Sequence, residues 1–225
     1  MNNKKNKMTV EIWSDVMCPF CYIGKRRFEA ALAPFKSKEN VEVVWKSFQL
    51  APDLITDASK NAYDYLAEKK GMTIAEAKDI SAYVTEMAAE IGLVYDFDKS
   101  VVANSFKAHR FTHFAKLYGK QDEAEEKLFE AYFTLGLNID DDQVLLKIAT
   151  AIGLDASLLA IALANSYFAE EVQNDIYEAG QVGVKGVPFF VFDRKYAISG
   201  AQEISIFEKT LNKSFEEWEP ENTIR

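Results

Sequence analysis

Cysteine and histidine are scarce in this chain of 225 residues, which has only two of each. Two residues separate the cysteines, so a disulfide between them would close a very short loop and constrain little of the unfolded chain. A disulfide-stapled scaffold is therefore excluded. Long apolar runs are also absent, the longest being about Leu158 to Ala164, which excludes a transmembrane helix and leads us to expect no membrane partner.

The first eight residues are polar and basic, with no apolar signal core and no small-residue cleavage site. Taken at face value, this start predicts a cytoplasmic protein. In that reducing compartment, two closely spaced cysteines are typical of a catalytic or a metal-binding site rather than of a structural bridge.

Positive charge is in deficit: 26 Lys and Arg residues face 35 Asp and Glu residues, for a net charge of −9. This balance argues against nucleic acid or an anionic membrane as the main partner. The chain is 48% hydrophobic and 13% aromatic, a composition that forms a core and excludes intrinsic disorder. Its length suits one elaborated domain or two closely associated domains. The sequence does not specify an oligomeric state.

The two cysteines form the motif Cys18-Pro19-Phe20-Cys21. A strand-like alternation over residues 9–13 precedes the motif, and a helical pattern over residues 24–33 follows it. This context places both sulfurs at a helix N-terminus, where backbone N–H groups and the helix dipole favour a thiolate. A thiolate beside a second thiol makes and breaks disulfides, so the motif predicts thiol–disulfide chemistry.

That chemistry assigns a role to each residue of the motif. Cys18 is expected to be exposed and ionised as the nucleophile, and Cys21, one helical turn on, to resolve the mixed disulfide. Pro19 suits the first turn of a helix, where a missing N–H costs nothing. Phe20 brings no charge, so we expect a centre less oxidising than one with histidine there. Its reduction potential is predicted between roughly −270 and −120 mV.

Two other interpretations of the cysteines stay open. A zinc site would need further ligands, and His109 and His113 could complete a set of two cysteines and two histidines. The separation of about 90 residues between these pairs is unlike that of compact zinc modules, so we expect no metal. The pair could also be two inert, buried thiols, but the strand before it and the helix after it argue against this.

Periodicity divides the chain into three parts. The start follows a β–α–β pattern, residues 61–181 are helical almost throughout, and residues 187–211 follow a β–β–α pattern. The predicted fold class is α/β: one mixed sheet with a large all-helical insertion. The segments that we predict are a first sheet part (8–58), a helical insertion domain (59–181), a second sheet part (182–214) and a tail (215–225).

Val187-Pro188 begins the apolar strand that ends at Phe192. A proline at the start of a core-like strand removes a donor from the ladder of the sheet. A cis peptide bond that shapes a turn beside a ligand would explain it, and so would a plain trans proline at the first strand residue. The cysteine motif and the order of the elements favour the cis form.

Further motifs complete a family resemblance. They are Gly186 to Phe192, Ile198 to Gln202, Asn104, Ala108-His109-Arg110 and the segment from Tyr132 to Ile139. With the cysteine motif, they make the chain resemble the DsbA family of the thioredoxin superfamily, most closely its FrnE-like cytoplasmic branch. The resemblance runs from about Met8 to Leu211. One departure is Phe20, where this group more often has tryptophan or histidine.

The resemblance implies a thioredoxin fold interrupted by a helical domain. It implies Cys18 as the nucleophile, Cys21 as the resolving thiol, and a cis Pro188 that faces them. Pro19, Phe20, Val187 and Pro188 would then contact the substrate, with the Val187 backbone pairing with an extended segment. The implied partners are protein thiols and disulfides or glutathione. No bound cofactor is expected beyond the redox-active cysteine pair.

Related families keep a second function open. Kappa-class glutathione transferases and hydroxychromene-carboxylate isomerases resemble the chain in the insertion, but typically place serine at the position of Cys18. The presence of both cysteines favours disulfide exchange. A third alternative is a non-catalytic binding or chaperone module with an apolar cleft.

Three polar residues could modulate the site. His109 and Arg110 are expected either to pack in the helical domain or, as the resemblance suggests, to line the cleft that faces the cysteines. Asp15, three residues before Cys18, is a candidate for a helix cap or for a charge near the thiol.

Overall fold

The computed structural model describes residues 7–223, with side chains up to residue 218. Its strands are β1 (Met8–Ser14), β2 (Val41–Ser47), β3 (Asp57–Asn61), β4 (Val101–Val102), β5 (Phe189–Phe192) and β6 (Tyr196–Ser199). Its α-helices are α1 (Pro19–Leu32), α2 (Ala62–Lys70), α3 (Ile74–Ala89), α4 (Phe106–Leu117), α5 (Gln121–Phe129), α6 (Asp142–Ala151), α7 (Ala156–Ala164), α8 (Ala169–Val182) and α9 (Ile204–Thr223). No helix in this range is long and apolar enough to cross a bilayer.

Four strands form the central sheet in the order β2–β1–β5–β6. Strand β1 runs parallel to β2 and antiparallel to β5, so Ile12 lies between Trp45 and Phe190. Strand β6 pairs antiparallel with β5 at the edge. This mixed sheet, with a helical crossover between β1 and β2, is the predicted thioredoxin arrangement, so the fold class is confirmed.

Side chains of β1 alternate between two faces of the sheet. Val10 and Ile12 belong to a core with Phe28 of α1 and Phe207 of α9, whereas Trp13 packs in a second core with Ala179 of α8. Because helices cover both faces, the central strand β1 is buried along nearly its whole length. The start of α1 is therefore anchored to a rigid element.

The insertion packs around a separate, larger core that includes Phe111, Leu128 and Phe133. The same core contains Cys18 and Cys21, so the helical domain covers the start of α1. The sequence predicts an all-helical insertion, but the structure adds a small sheet to it. Strands β3 and β4 form a two-stranded antiparallel sheet at the edge of the insertion. The polar segment of β3 has little strand propensity of its own, and pairing with β4 imposes its extended form.

The closing helix also differs from the prediction. Helix α9 continues to Thr223, where the sequence predicts an end near Leu211 and a tail from residue 215. Phe215 and Trp218 join the sheet-side core, and Phe215 packs against Phe35, so apolar contacts extend the helix. The last two residues of the predicted tail lie outside the described residues.

Candidate active site

The two cysteines lie at the start of α1. Cys18 is the N-cap residue with an extended backbone, and Pro19 occupies the first helical position. The Cys21 N–H donates to the Cys18 carbonyl over 2.9 Å, which closes the first turn. Both side chains are free thiols, so the structure represents the dithiol form. They lie close enough to interact as hydrogen-bonding groups.

Asp15 shapes the loop that leads into this helix. Its carbonyl accepts a hydrogen bond from the Cys18 N–H over 2.9 Å. Its carboxylate accepts from the N–H groups of Met17, over 3.2 Å, and Leu50, over 2.7 Å. The Asp15 side chain thus bonds to the main chain of two loops and does not cap helix α1. It ties the segment before Cys18 to the end of β2.

Both cysteines are buried, which corrects the expectation of an exposed Cys18. Cys18 is 4% exposed and Cys21 is fully buried. The physical reason is that the loop before β5 covers the helix N-terminus from one side and the insertion covers it from the other. Burial raises the pKa of the Cys21 thiol, and the neighbouring Cys18 raises it further. Cys21 is thus held as a neutral thiol, as suits the second of two exchange steps.

The loop that covers Cys18 contains Val187 and Pro188, joined by a cis peptide bond. The Cys18 thiol donates to the Val187 carbonyl over 3.4 Å. The Pro188 carbonyl accepts from the Gly200 N–H over 2.8 Å, which joins this loop to the end of β6. The sheet therefore holds the main chain of Val187 directly beside the sulfur.

Gly24, one turn after Cys21, allows this close approach. A Cβ atom at position 24 would lie 2.9 Å from Cγ of Pro188 and 3.3 Å from the ring of Phe190. Only a residue without a side chain fits there without a shift of the proline loop. The sequence analysis missed this role, although an isolated glycine inside a helical pattern is a signal for close packing.

Pro19 and Phe20 occupy the outer side of the turn. Phe20 is 39% exposed and so presents an aromatic ring to solvent beside the buried thiol. The Pro19 carbonyl accepts a hydrogen bond from the Tyr95 hydroxyl over 2.7 Å. Burial, with the nearby cysteines adding to it, raises the pKa of Tyr95, so its hydroxyl stays a neutral donor. Nothing in the sequence indicated this contact between the insertion and the motif.

Helix α5 holds the next turn of α1. Lys25 is buried, and its ammonium lies 2.9 Å from Glu126. Burial lowers the pKa of Lys25, but Asp122, Glu29 and Glu126 outweigh this effect and raise it. The ion cluster fixes α1 against helix α5 of the insertion.

His109 and Arg110 are both buried in α4, and the pocket that Arg110 lines, with Asn104 and Gln173, does not include the cysteines. His109 lies behind the motif, with its Nε2 3.6 Å from Oδ1 of Asp15. The Arg110 guanidinium instead donates to the carbonyls of Tyr167, Ala162 and Leu163. Arg110 therefore caps the C-terminal end of α7, and its expected place at the cleft is corrected.

The two histidines lie apart from the sulfurs in separate pairs. His113 contacts Asp175 at 3.0 Å and Ser47 at 3.2 Å, while His109 contacts Asp15. Across the part of the chain that the structure describes, no group of three or more His, Cys, Asp and Glu residues is arranged to hold a metal ion.

Comparison with known proteins extends these observations. A model of the DSBA-like thioredoxin domain family matches residues 9–212. The protein YwbO of Bacillus subtilis is 30% identical over 213 residues, which cover 90% of this chain and 95% of YwbO.

Solved structures share the architecture. A probable DsbA oxidoreductase from Streptomyces coelicolor is 37% identical, with a TM-score of 0.87 over 93% of this chain and 91% of that one. The cytosolic disulfide reductase DsbM of Pseudomonas aeruginosa has a TM-score of 0.66 at 15% identity, over 92% of this chain and 98% of that one, and so shows the fold alone. With a family match that spans nearly the whole chain, and with both cysteines at the start of α1 beside Val187 and Pro188, the protein belongs to the DSBA-like thioredoxin domain family.

Proposed function

We propose that this protein is a thiol–disulfide oxidoreductase that exchanges disulfides with protein thiols or small thiols through Cys18 and Cys21. The observation that carries the proposal is the contact of the Cys18 thiol, at the start of α1, with the Val187 carbonyl. This contact places a sulfur nucleophile beside the main chain of Val187, with which an extended substrate would pair. Pro19, Phe20 and Pro188 complete the surroundings of that sulfur.

The dithiol form reduces a substrate disulfide in two steps. The Cys18 thiolate attacks one substrate sulfur, forms a mixed disulfide and releases the other sulfur as a thiolate, which takes up a proton. Cys21 then loses its proton and attacks the Cys18 sulfur. The Cys18–Cys21 disulfide forms, and the second substrate thiol leaves. Two electrons and two protons pass to the substrate, and the reverse sequence oxidises a substrate dithiol.

The burial of Cys21 gives the two thiols different roles. Cys21 has no exposed surface and a raised pKa, so it does not compete for the external disulfide. Cys21 attacks the Cys18 sulfur only after the mixed disulfide has formed, because the substrate sulfur bonded to Cys18 is then the leaving group. The exposed ring of Phe20 supplies an apolar contact for substrate residues next to the reacting sulfur.

Glutathione is the small-molecule substrate that we propose. DsbM has been solved with GSH, and its chain has the same fold as this one. The alternative is a glutathione-dependent isomerase or transferase. Tight stoichiometric binding of reduced glutathione in calorimetry, together with poor disulfide activity, would favour that alternative. The FrnE-like branch and a cytoplasmic location are parts of the proposal that rest on the sequence.

Substitution of each cysteine tests the proposal. We expect Cys18→Ser to abolish insulin reduction. Cys21→Ser should instead accumulate a Cys18-linked adduct, which intact mass spectrometry detects as one glutathione added per chain. Full insulin reduction by Cys18→Ser would overturn the assignment, since the only cysteine left would be Cys21, which is fully buried.

A further inference from the structure

A buried histidine–aspartate pair connects the helical insertion to the loop that carries Cys18. His109 of α4 is 1% exposed and Asp15 is fully buried, and Nε2 of His109 lies 3.6 Å from Oδ1 of Asp15. Neither ring nitrogen of His109 has a hydrogen-bond partner among the described residues. At this separation the imidazole forms an ion pair with the Asp15 carboxylate when His109 is protonated.

Asp15 contacts His109 on one side and the cysteine loop on the other. Its carboxylate holds the N–H of Met17, the residue before Cys18, and its carbonyl holds the N–H of Cys18. Its backbone N–H also interacts with Cys21 and lowers the pKa of that thiol in opposition to burial. The Asp15 carboxylate is thus buried in the loop whose main chain contacts both cysteines, where its negative charge is poorly screened by solvent.

The groups that face His109 come from three elements. Asp15 faces it from the loop before α1, Glu125 from α5, and the backbone of Phe48 from the end of β2. Burial alone would lower the pKa of His109, but Asp15 outweighs it, with Glu125 and Phe48 adding to the rise. Burial raises the pKa of Glu125 to about 7, so its opposing charge is only partly developed at neutral pH.

We propose that His109 is a positioning residue for the redox centre, and that its positive charge, paired with Asp15, favours the dithiol form of Cys18 and Cys21. The inference rests on the proposed exchange function. Reduction places negative charge on sulfur near the buried carboxylate, and the imidazolium offsets the repulsion between them. Without this cation, reduction is harder, and the centre becomes less oxidising.

The equilibrium with glutathione measures this effect. In wild type and in each variant, the disulfide form of the protein reacts with two glutathione molecules to give the dithiol form and glutathione disulfide. At pH 7 we expect His109→Gln to shift the constant about tenfold toward the protein disulfide, which corresponds to about −30 mV. In an Asp15→Asn background, the same substitution should shift it by less than about threefold, because His109 has lost the partner that keeps it charged.

The second histidine of the same helix is the matched control. His113 is also buried and also pairs with an aspartate, but its partners are Asp175 and Ser47, one helical turn further along α4. His113→Gln should leave the constant within about twofold of wild type. An equal shift in both histidine variants would overturn the proposal, because general loosening of the fold would then explain it. An unchanged constant in His109→Gln would overturn it as well.

A further test uses the wild-type protein and so does not depend on whether a variant folds. Thermodynamic reciprocity requires that a cation that favours the dithiol form should itself bind its proton more tightly in that form. A nuclear magnetic resonance titration of the His109 imidazole should show it titrating about one pH unit higher in the dithiol form than in the disulfide form. Equal titration of His109 in the two forms would refute the inference. If the wild-type cysteines form no reversible disulfide with glutathione, the proposed function itself fails.

Discussion

The Cys18 thiol and the Val187 carbonyl, 169 residues apart in the chain, lie 3.4 Å from each other. This contact joins the N-terminus of α1 to the loop that leads into β5. Because β1 lies between β2 and β5, the sheet fixes both ends of the contact. The insertion then encloses the pair, so the reactive sulfur lies where sheet, helix and insertion meet.

Gly24 sets the distance between α1 and the proline loop. We expect Gly24→Ala to displace Pro188, because the new methyl group would lie 2.9 Å from its ring. Insulin reduction should fall several-fold, and the free energy of unfolding in urea should drop by about 1–3 kcal/mol. Gly180→Ala in α8 is the control: no atom lies within 4 Å of its Cβ position, so stability should hold or rise slightly. Equal behaviour of the two variants would contradict this role for Gly24.

Tyr95 ties the insertion to the cysteine turn. Tyr95→Phe removes the hydroxyl that donates to the Pro19 carbonyl but keeps the ring that stacks on Phe133 at 4.8 Å. The free energy of unfolding should fall by about 1 kcal/mol, and turnover should slow, because the turn loses its fixed position. Tyr83→Phe, at an exposed site, should change neither quantity. Unaltered turnover in Tyr95→Phe would show that this hydrogen bond does not position the turn.

Glu125 makes stability depend on pH. Burial raises its pKa from 4.5 to about 7 in the folded protein, so the folded state holds this proton more tightly than the unfolded state. The resulting stabilisation is fully present below about pH 4.5 and is lost as the pH rises to about 7, by up to about 3 kcal/mol. His109, whose pKa is also raised, adds a loss at pH values above its ordinary titration range.

Urea unfolding from pH 5 to pH 8 checks this dependence. In Glu125→Gln, the free energy of unfolding should fall less between pH 5 and pH 8 than it does in wild type. Glu86→Gln, at an exposed position of α3, should keep the wild-type profile. A decline as steep in Glu125→Gln as in wild type would rule out Glu125 as its source.

Arg110 is expected to act on stability alone. Its guanidinium donates to three main-chain carbonyls near the end of α7, where the helix dipole also favours a cation. Arg110→Lys keeps the charge but loses the forked geometry, and should lower the free energy of unfolding by about 1–3 kcal/mol. The reduction potential of the folded protein should not move. A clear shift in the reduction potential of Arg110→Lys would contradict this and show that Arg110 acts on the redox centre.

The sequence predicted the elements whose signals are local. The cysteine motif and Val187-Pro188 each occupy a few adjacent residues, and the helical periodicity of the insertion repeats every three to four residues. Together these signals led to the fold class. What it missed depends on contacts between distant segments. The pairing of Asp15 with His109, the covering of Cys18 by Val187 and the hydrogen bond from Tyr95 leave no local pattern.

Two differences in secondary structure have the same origin. Residues of β3 are polar and become a strand only because β4 lies beside them. The final turns of α9 are held by Phe215 and Trp218 against the sheet-side core, a contact that the charged residues around them obscure in the sequence. In both cases tertiary contacts outweigh local propensity.

A redox titration of Cys18 and Cys21 tests the central claim most directly. The protein is equilibrated in glutathione buffers of graded potential, quenched in acid, alkylated and weighed by mass spectrometry. We predict that both thiols disappear together in one reversible two-electron transition, at a potential between roughly −270 and −120 mV. Two thiols that stay reduced in every buffer, or that oxidise independently of each other, would contradict the account.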